Sequence, residues 1–320
     1  MSDRLNKLMV GGQAVIEGVM MRGPKLTATA VRDPQGKIQV ETKPVNSISD
    51  RYPILKKPFL RGTVALIESL VIGMKSLSYS AKMAGEEDEQ LTDREMAGTI
   101  VFALVLASIL FIAIPTGAAK LFHVITADPM FLNLMEGCLR LVIFLLYIWG
   151  ISRMKDIRRV FQYHGAEHKT IFCYEAGLPL TVENVQKFPR LHPRCGTNFL
   201  LIVMLVSIFV FAFLGWPSLG ERIASRILLL PVVAGISYEI IRLAGRSDNS
   251  IIQTAIKPGL WLQYLTTRPP EDDMVEVAIE SLKAVLPAEE ILPGSGEYRN
   301  EEPAAAETET EAQAAAMVTE

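Results

Sequence analysis

The chain has 320 residues, half of them hydrophobic, with 21% charged residues and a mean hydropathy of +0.27. So much apolar content beside so many charges means that the apolar residues are gathered in blocks, several of them reaching the roughly 20 residues that a bilayer-spanning helix needs. Three cysteines, Cys138, Cys173 and Cys195, are too few for a disulfide framework and fit reduced thiols, or one metal ligand among them.

The net charge of −3 hides an asymmetry, because the tail from Pro287 onward carries nine Glu against one Arg and leaves the rest of the chain near +5. Mild basicity of that size suits loops facing an anionic membrane surface, and no nucleic-acid partner is expected. The polar stretch Met1 to Lys7 predicts no secretory leader.

Residues 1–58 read as a small soluble region. Val10 to Pro24, VGGQAVIEGVMMRGP, matches neither the Rossmann nor the P-loop spacing, so its glycines read as points of close backbone approach beside a packed strand. Thr27 to Arg32 and Lys37 to Lys43 alternate around Asp33-Pro34-Gln35-Gly36, which predicts a β-hairpin. In residues 59–98, Leu60 to Lys82 carries a helical stripe of Val64, Ile67, Leu70, Val71, Met74 and Leu77. Its charges favour an interfacial or bundle-packed helix over a lone crossing. An acidic connector follows.

Transmembrane spans are predicted at 99–119, 134–151, 199–216 and 223–244, with Glu136 and Arg140 able to pair at i,i+4 in the second. The 152–198 loop holds eight Lys/Arg, against one each in 120–133 and 217–222. The positive-inside rule therefore puts that loop and both termini in the cytoplasm. A juxtamembrane segment with Trp261 and Tyr264 leads into an amphipathic helix, Asp272 to Leu286, and residues 287–320 read as disordered. The fold class is a mainly α integral membrane protein with about four transmembrane helices, an amphipathic helix, a small N-terminal β-containing region and an acidic tail.

The chemistry concentrates in the 152–198 loop. Tyr163-His164-Gly165-Ala166-Glu167-His168-Lys169 contains two of four histidines, four residues apart and so on one helix face. The order H-x-x-E-H is the inverse of the common zinc-protease motif: two imidazoles grip an ion, and Glu167, pointing about 100° away, serves as general base toward a water. Gly165 inside the helix predicts a close approach there. Two histidines make an incomplete site. His192, Cys195, Glu175 and Glu239 are the candidates to complete it, and the His/Cys/carboxylate mix favours Zn over Mg or Ca. A closed set of His164, His168, His192 and Cys195 implies a structural zinc, whereas three ligands with an open position imply a catalytic one. Glu239 also has a structural partner available in Arg242, and Glu17 in Arg22.

The motifs GGQAVIEGVMMRGP, YHGAEHKTIFCYE, HPRCGTNFL and KPGLWLQYLTTRPPEDDMVEVAIESLKAV occur in that order. Together they resemble the YqhQ-like family of bacterial membrane proteins, a domain-of-unknown-function family, from about Leu8 to Val285. The resemblance implies a multi-pass plasma-membrane protein and a metal-dependent enzyme, carried by His164, Glu167, His168, His192 and Cys195. Two functions follow as expectations. One is a zinc-dependent hydrolase at the cytoplasmic membrane face, acting on a peptide, lipid or other amphiphile that reaches the site along the bilayer. The other is a non-catalytic factor that assembles or inserts membrane proteins, with the His/Cys cluster as a structural knot. Metal transport is a weaker third, because the spans offer few polar ligands.

Overall fold

The structure is a computed structural model that describes residues 9–85, 92–216, 218–244 and 250–287. The acidic tail and most of the acidic connector lie outside the described residues. Four strands, β1 (Gly11–Val15), β2 (Gly18–Arg22), β3 (Leu26–Arg32) and β4 (Ile38–Pro44), form an antiparallel meander in the order β1-β2-β3-β4. The predicted hairpin is β3–β4. A second hairpin, β1–β2, turns at Glu17, whose φ is +48°. Strand β2 reads as a continuous apolar run because the middle of the sheet is buried on both faces, so that neighbours such as Met20 and Met21 are buried on opposite sides.

Each face is covered by helices. Helix α1 (Leu60–Ala84) lies on one side, where Ile72, Tyr79 and Met83 pack on Val15, Met20 and Val31. Small polar residues let it sit close: Ser76 Oγ accepts from Thr29 Oγ1 at 3.1 Å, and Ser80 Oγ accepts from the Ile16 amide at 3.2 Å. On the other side lie α4 (Lys155–Ala176) and α8 (Asp272–Lys283). The apolar face predicted for 272–286 is there, turned toward the sheet. Met274, Val275, Val277, Ile279 and Leu282 are buried, each worth about 1.5–3 kcal/mol relative to exposure.

The apolar helices are α2 (Asp93–Ser108, continued by Ile109–Ala113 and Ile114–Ala119), α3 (Pro129–Ile151), α5 (Gly196–Ala212), α6 (Leu219–Ala244) and α7 (Ser250–Thr266). Among the described residues, four helices are long and apolar enough to cross a membrane: Leu60–Ala84, Ala97–Ala119, Pro129–Ile151 and Gly220–Leu243. This set differs from the predicted one. The predicted third span is the 17-residue α5, only about 25 Å long at 1.5 Å per residue, while α1 meets the criterion despite its charges. The juxtamembrane segment contains a helix, α7, which runs through Pro258.

A buried ion cluster and a half-buried ion pair tie the helices. Glu136, fully buried, binds Arg140 as predicted and also Arg222 and Arg226 from α6. Glu239 does not take Arg242 as its ion-pair partner. Arg61 holds it bidentately at 2.7 and 2.5 Å, joining α6 to the start of α1.

Candidate metal centre

Helix α4 carries the H-x-x-E-H motif between the sheet and the C-terminal elements. It is placed by a pair and a contact. Glu17 in the β1–β2 turn binds Arg159 bidentately at 2.6 and 2.5 Å and accepts from the Tyr163 hydroxyl at 3.2 Å, one residue before His164. The bland partner proposed for it, Arg22, pairs instead with Glu68. At Gly165 the chain leaving α7 crosses α4: the Arg268 amide donates to the Phe161 carbonyl at 2.8 Å, and a Cβ on Gly165 would lie 2.1 Å from the Arg268 oxygen. Only glycine fits there, as its place inside a helix led us to expect. Gly165→Ala is therefore expected to destabilise the protein by about 1–3 kcal/mol through overpacking, read as a lowered thermal midpoint in detergent. Gly150→Ala, with no atom within 4 Å of its Cβ, serves as the neutral-to-stabilising control.

Three of the predicted ligands converge. The donor atoms of His164, His168 and Cys195 all lie within 4.8 Å of one another; His168 and Cys195 are buried and His164 is half-buried. The ring tautomers are set from outside the cluster. His164 Nδ1 donates to the Thr266 carbonyl at 2.8 Å, and His168 Nδ1 donates to the Arg190 carbonyl at 2.5 Å. In the neutral rings both protons are thereby committed, and both Nε2 lone pairs face inward. His164 Nε2 lies 3.2 Å from Cys195 Sγ. His168 Nε2 is buried without a hydrogen-bond partner, although the Cys195 sulfur is close enough to act on it electrostatically. Burial, with His164 next to it, holds His168 below the usual histidine range and so in its neutral, ligating form.

Cys195 caps the N-terminus of α5, accepting from the Thr197 amide at 3.4 Å. Burial opposes its thiolate, but His168 and the Thr197 groups outweigh this and bring its pKa below the ordinary thiol value. Glu167 is also buried. Its Oε2 has no partner, and the Gly12 amide of β1 donates to its carboxylate. Burial raises its pKa to about 8, only partly offset by His164. A Cβ at Gly12 would lie 2.5 Å from the Met20 carbonyl oxygen and 3.1 Å from Glu167 Oε1, so glycine here admits the close approach of β2 first and leaves room for the carboxylate as well.

His192 stands apart from the three. Its Nδ1 accepts the Arg194 amide at 3.2 Å, so the neutral ring carries its proton on Nε2, a buried atom without a hydrogen-bond partner. Burial lowers its pKa to about 4. Although Glu175 Oε2 lies 3.9 Å from Nε2, a neutral ring at that distance makes neither an ion pair nor a hydrogen bond. Glu175 is instead paired with Arg194. Glu239 binds Arg61, and neither carboxylate belongs to the convergent set. His164, Glu167, His168, His192 and Cys195 line a common cavity of about 370 Å³, together with Val10 and the β1 residues Gly11 to Ala14.

Sequence reasoning missed the residues that hold the HPRC loop. Gln263 of α7, fully buried, accepts from the His192 amide at 2.8 Å and donates to the His192 carbonyl at 2.8 Å and to Asn198 Oδ1 at 2.9 Å. A glutamine inside the apolar run WLQYL was the available signal. Gln263→Leu leaves three polar partners unmatched, at about 1–3 kcal/mol for each buried group. It is expected to weaken metal retention about 10–100-fold, measured by chelator competition.

A profile of the family described as "Protein of unknown function (DUF1385)" matches residues 57–288. The chain is also similar to "Uncharacterized protein YqhQ" of Bacillus subtilis (strain 168), 40% identical over 292 residues, covering 86% of this chain and 92% of that protein. No solved structure matches.

Proposed function

The chain belongs to the YqhQ-like DUF1385 family, and we propose that it is a membrane-bound, zinc-dependent hydrolase. The observation that carries this reading is the convergence of His164, His168 and Cys195 beside the orphaned Glu167 Oε2, all opening on one cavity. Two imidazoles and a thiolate suit Zn²⁺ better than the hard cations, and three protein ligands leave a fourth position open. His192, with its proton on Nε2, acts as a donor beside the site and not as a fourth ligand. This favours the catalytic reading over a closed structural knot in an assembly factor.

Bound zinc would supply Lewis acidity and lower the pKa of a coordinated water. The protein's own residues do the remaining work. Glu167 takes a proton from water as the water oxygen bonds to the substrate carbonyl carbon, then delivers it to the leaving nitrogen or oxygen as that bond breaks. His192 Nε2–H steadies the negative charge that develops on the carbonyl oxygen. The eight Lys/Arg of residues 152–198 support a site on the cytoplasmic side of a bacterial plasma membrane. The test is metal analysis of the purified protein followed by chelation. About one zinc per chain, with hydrolysis lost on chelation and restored by zinc, supports the proposal; protein free of stoichiometric metal that still cleaves contradicts it.

A further inference from the structure

The strand that meets Glu167 is an edge strand, hydrogen-bonded among the described residues only to β2 within the sheet. Val15 pairs with Gly18 across a two-residue turn, so Gly12 opposite Met21 falls in a pair that exchanges no hydrogen bonds with β2, and its amide points away from β2. Met21, the residue opposite Gly12, agrees: it gives its amide to Ser281 Oγ, which in turn donates to the Ala28 carbonyl on the β3 side. In an antiparallel pair the outward amides and carbonyls belong to alternate residues. The Gly12 carbonyl and both backbone groups of Ala14 therefore also turn to the open edge.

Two cavities flank this edge. One is the 370 Å³ cavity of the metal centre, and the other, of about 510 Å³, lies between the sheet and α1. Val10, Gly11, Gly12 and Gln13 line both, so a groove follows the strand along its open side. Gly11 and Gly12 are exposed and offer no side chain, and a Cβ on Gly11 would meet nothing within 4 Å. The opposite edge, β4, carries Glu41, Lys43 and Pro44, residues that discourage pairing.

A bare backbone edge beside a groove, ending at orphaned polar atoms, matches the requirements of strand addition, in which main-chain hydrogen bonds hold an extended peptide. We propose that β1 is a docking rail for an extended polypeptide, which pairs with it as a fifth strand and is thereby drawn past Glu167 and the His/Cys cluster. This deepens the hydrolase reading by choosing polypeptide over lipid as substrate, and it rests on that reading only for the cleavage that follows docking. A lipid has no run of amides to match the rail.

The test uses full-length protein in nanodiscs carrying Glu167→Gln, with photoreactive p-benzoylphenylalanine at Gly11 or, as control, at Val40 of β4. The probe is fluorescent β-casein, an unstructured polypeptide. Cross-linking from position 11 but not 40 is expected. It should fall at least tenfold with Ala14→Pro, which removes an outward amide that β2 does not use. A casein peptide N-methylated on alternate amides should compete at least tenfold less well than its unmodified counterpart, a check that needs no change in the fold. Equal cross-linking from both edges, or competition indifferent to N-methylation, overturns the rail. Cleavage of the same casein by zinc-loaded protein with Glu167 intact is scored separately. Cleavage without position-11 cross-linking removes the rail and leaves the hydrolase. Cross-linking without cleavage does the reverse.

Discussion

Glu167→Gln is expected to keep the metal and the fold while lowering hydrolysis about 10²–10⁴-fold, the usual contribution of a positioned general base. The amide preserves the shape of the side chain and its contact with the Gly12 amide but cannot accept the proton. The same variant has a second signature in metal-free protein. Burial raises the Glu167 pKa to about 8, so at intermediate pH the folded state holds a proton that the unfolded state has released. Stability of the metal-free wild type therefore falls as pH rises from the ordinary carboxylate range toward 8, by up to about 1.4 kcal/mol per pH unit. Glutamine does not titrate and lacks this slope. The thermal midpoint of chelated Glu167→Gln should exceed that of chelated wild type by more at pH 8 than at pH 5.5. Parallel midpoints across that range would show that the carboxyl group is not buried as described.

His168→Ala should abolish metal binding. His168 is 1% exposed and contributes one of the three convergent donors, so its loss leaves two ligands. The affinity should drop by far more than the roughly 10–100-fold typical of outer partners. The Arg190 carbonyl also loses its partner, adding about 1–3 kcal/mol of destabilisation. The comparison that matters is His192→Ala. This ring spends its Nδ1 on the Arg194 amide and lies outside the donor set, so the variant should keep about one zinc per chain while hydrolysis declines. Equal zinc loss in both variants would point to a closed four-ligand site and a structural role.

Much of this was legible from residue spacing. Helical geometry alone puts His164 and His168 on one face, and the oddity of Gly165 inside that helix anticipates the crossing at Arg268. The amphipathic period of 272–286 identifies the buried face of α8, and Glu136 with Arg140 is a local pair. Partners distant in sequence were not legible. Glu17 and Glu239 each had a nearby arginine, yet the fold gives them Arg159 and Arg61, 142 and 178 residues away. Local charge spacing carries no information about such contacts. The β1–β2 hairpin was hidden because a sheet covered on both faces loses its alternation. Pro258 and Gly259 concealed α7, and with it Gln263, the residue that fastens His192.

X-ray absorption at the zinc edge of the purified, zinc-loaded protein tests the central claim most directly. The account predicts two imidazole nitrogens at about 2.0–2.1 Å, one sulfur at about 2.3 Å and one further light oxygen donor, with the sulfur shell lost in Cys195→Ala. A shell of three imidazoles and one sulfur, or an absence of zinc bound in stoichiometric amount, would contradict it.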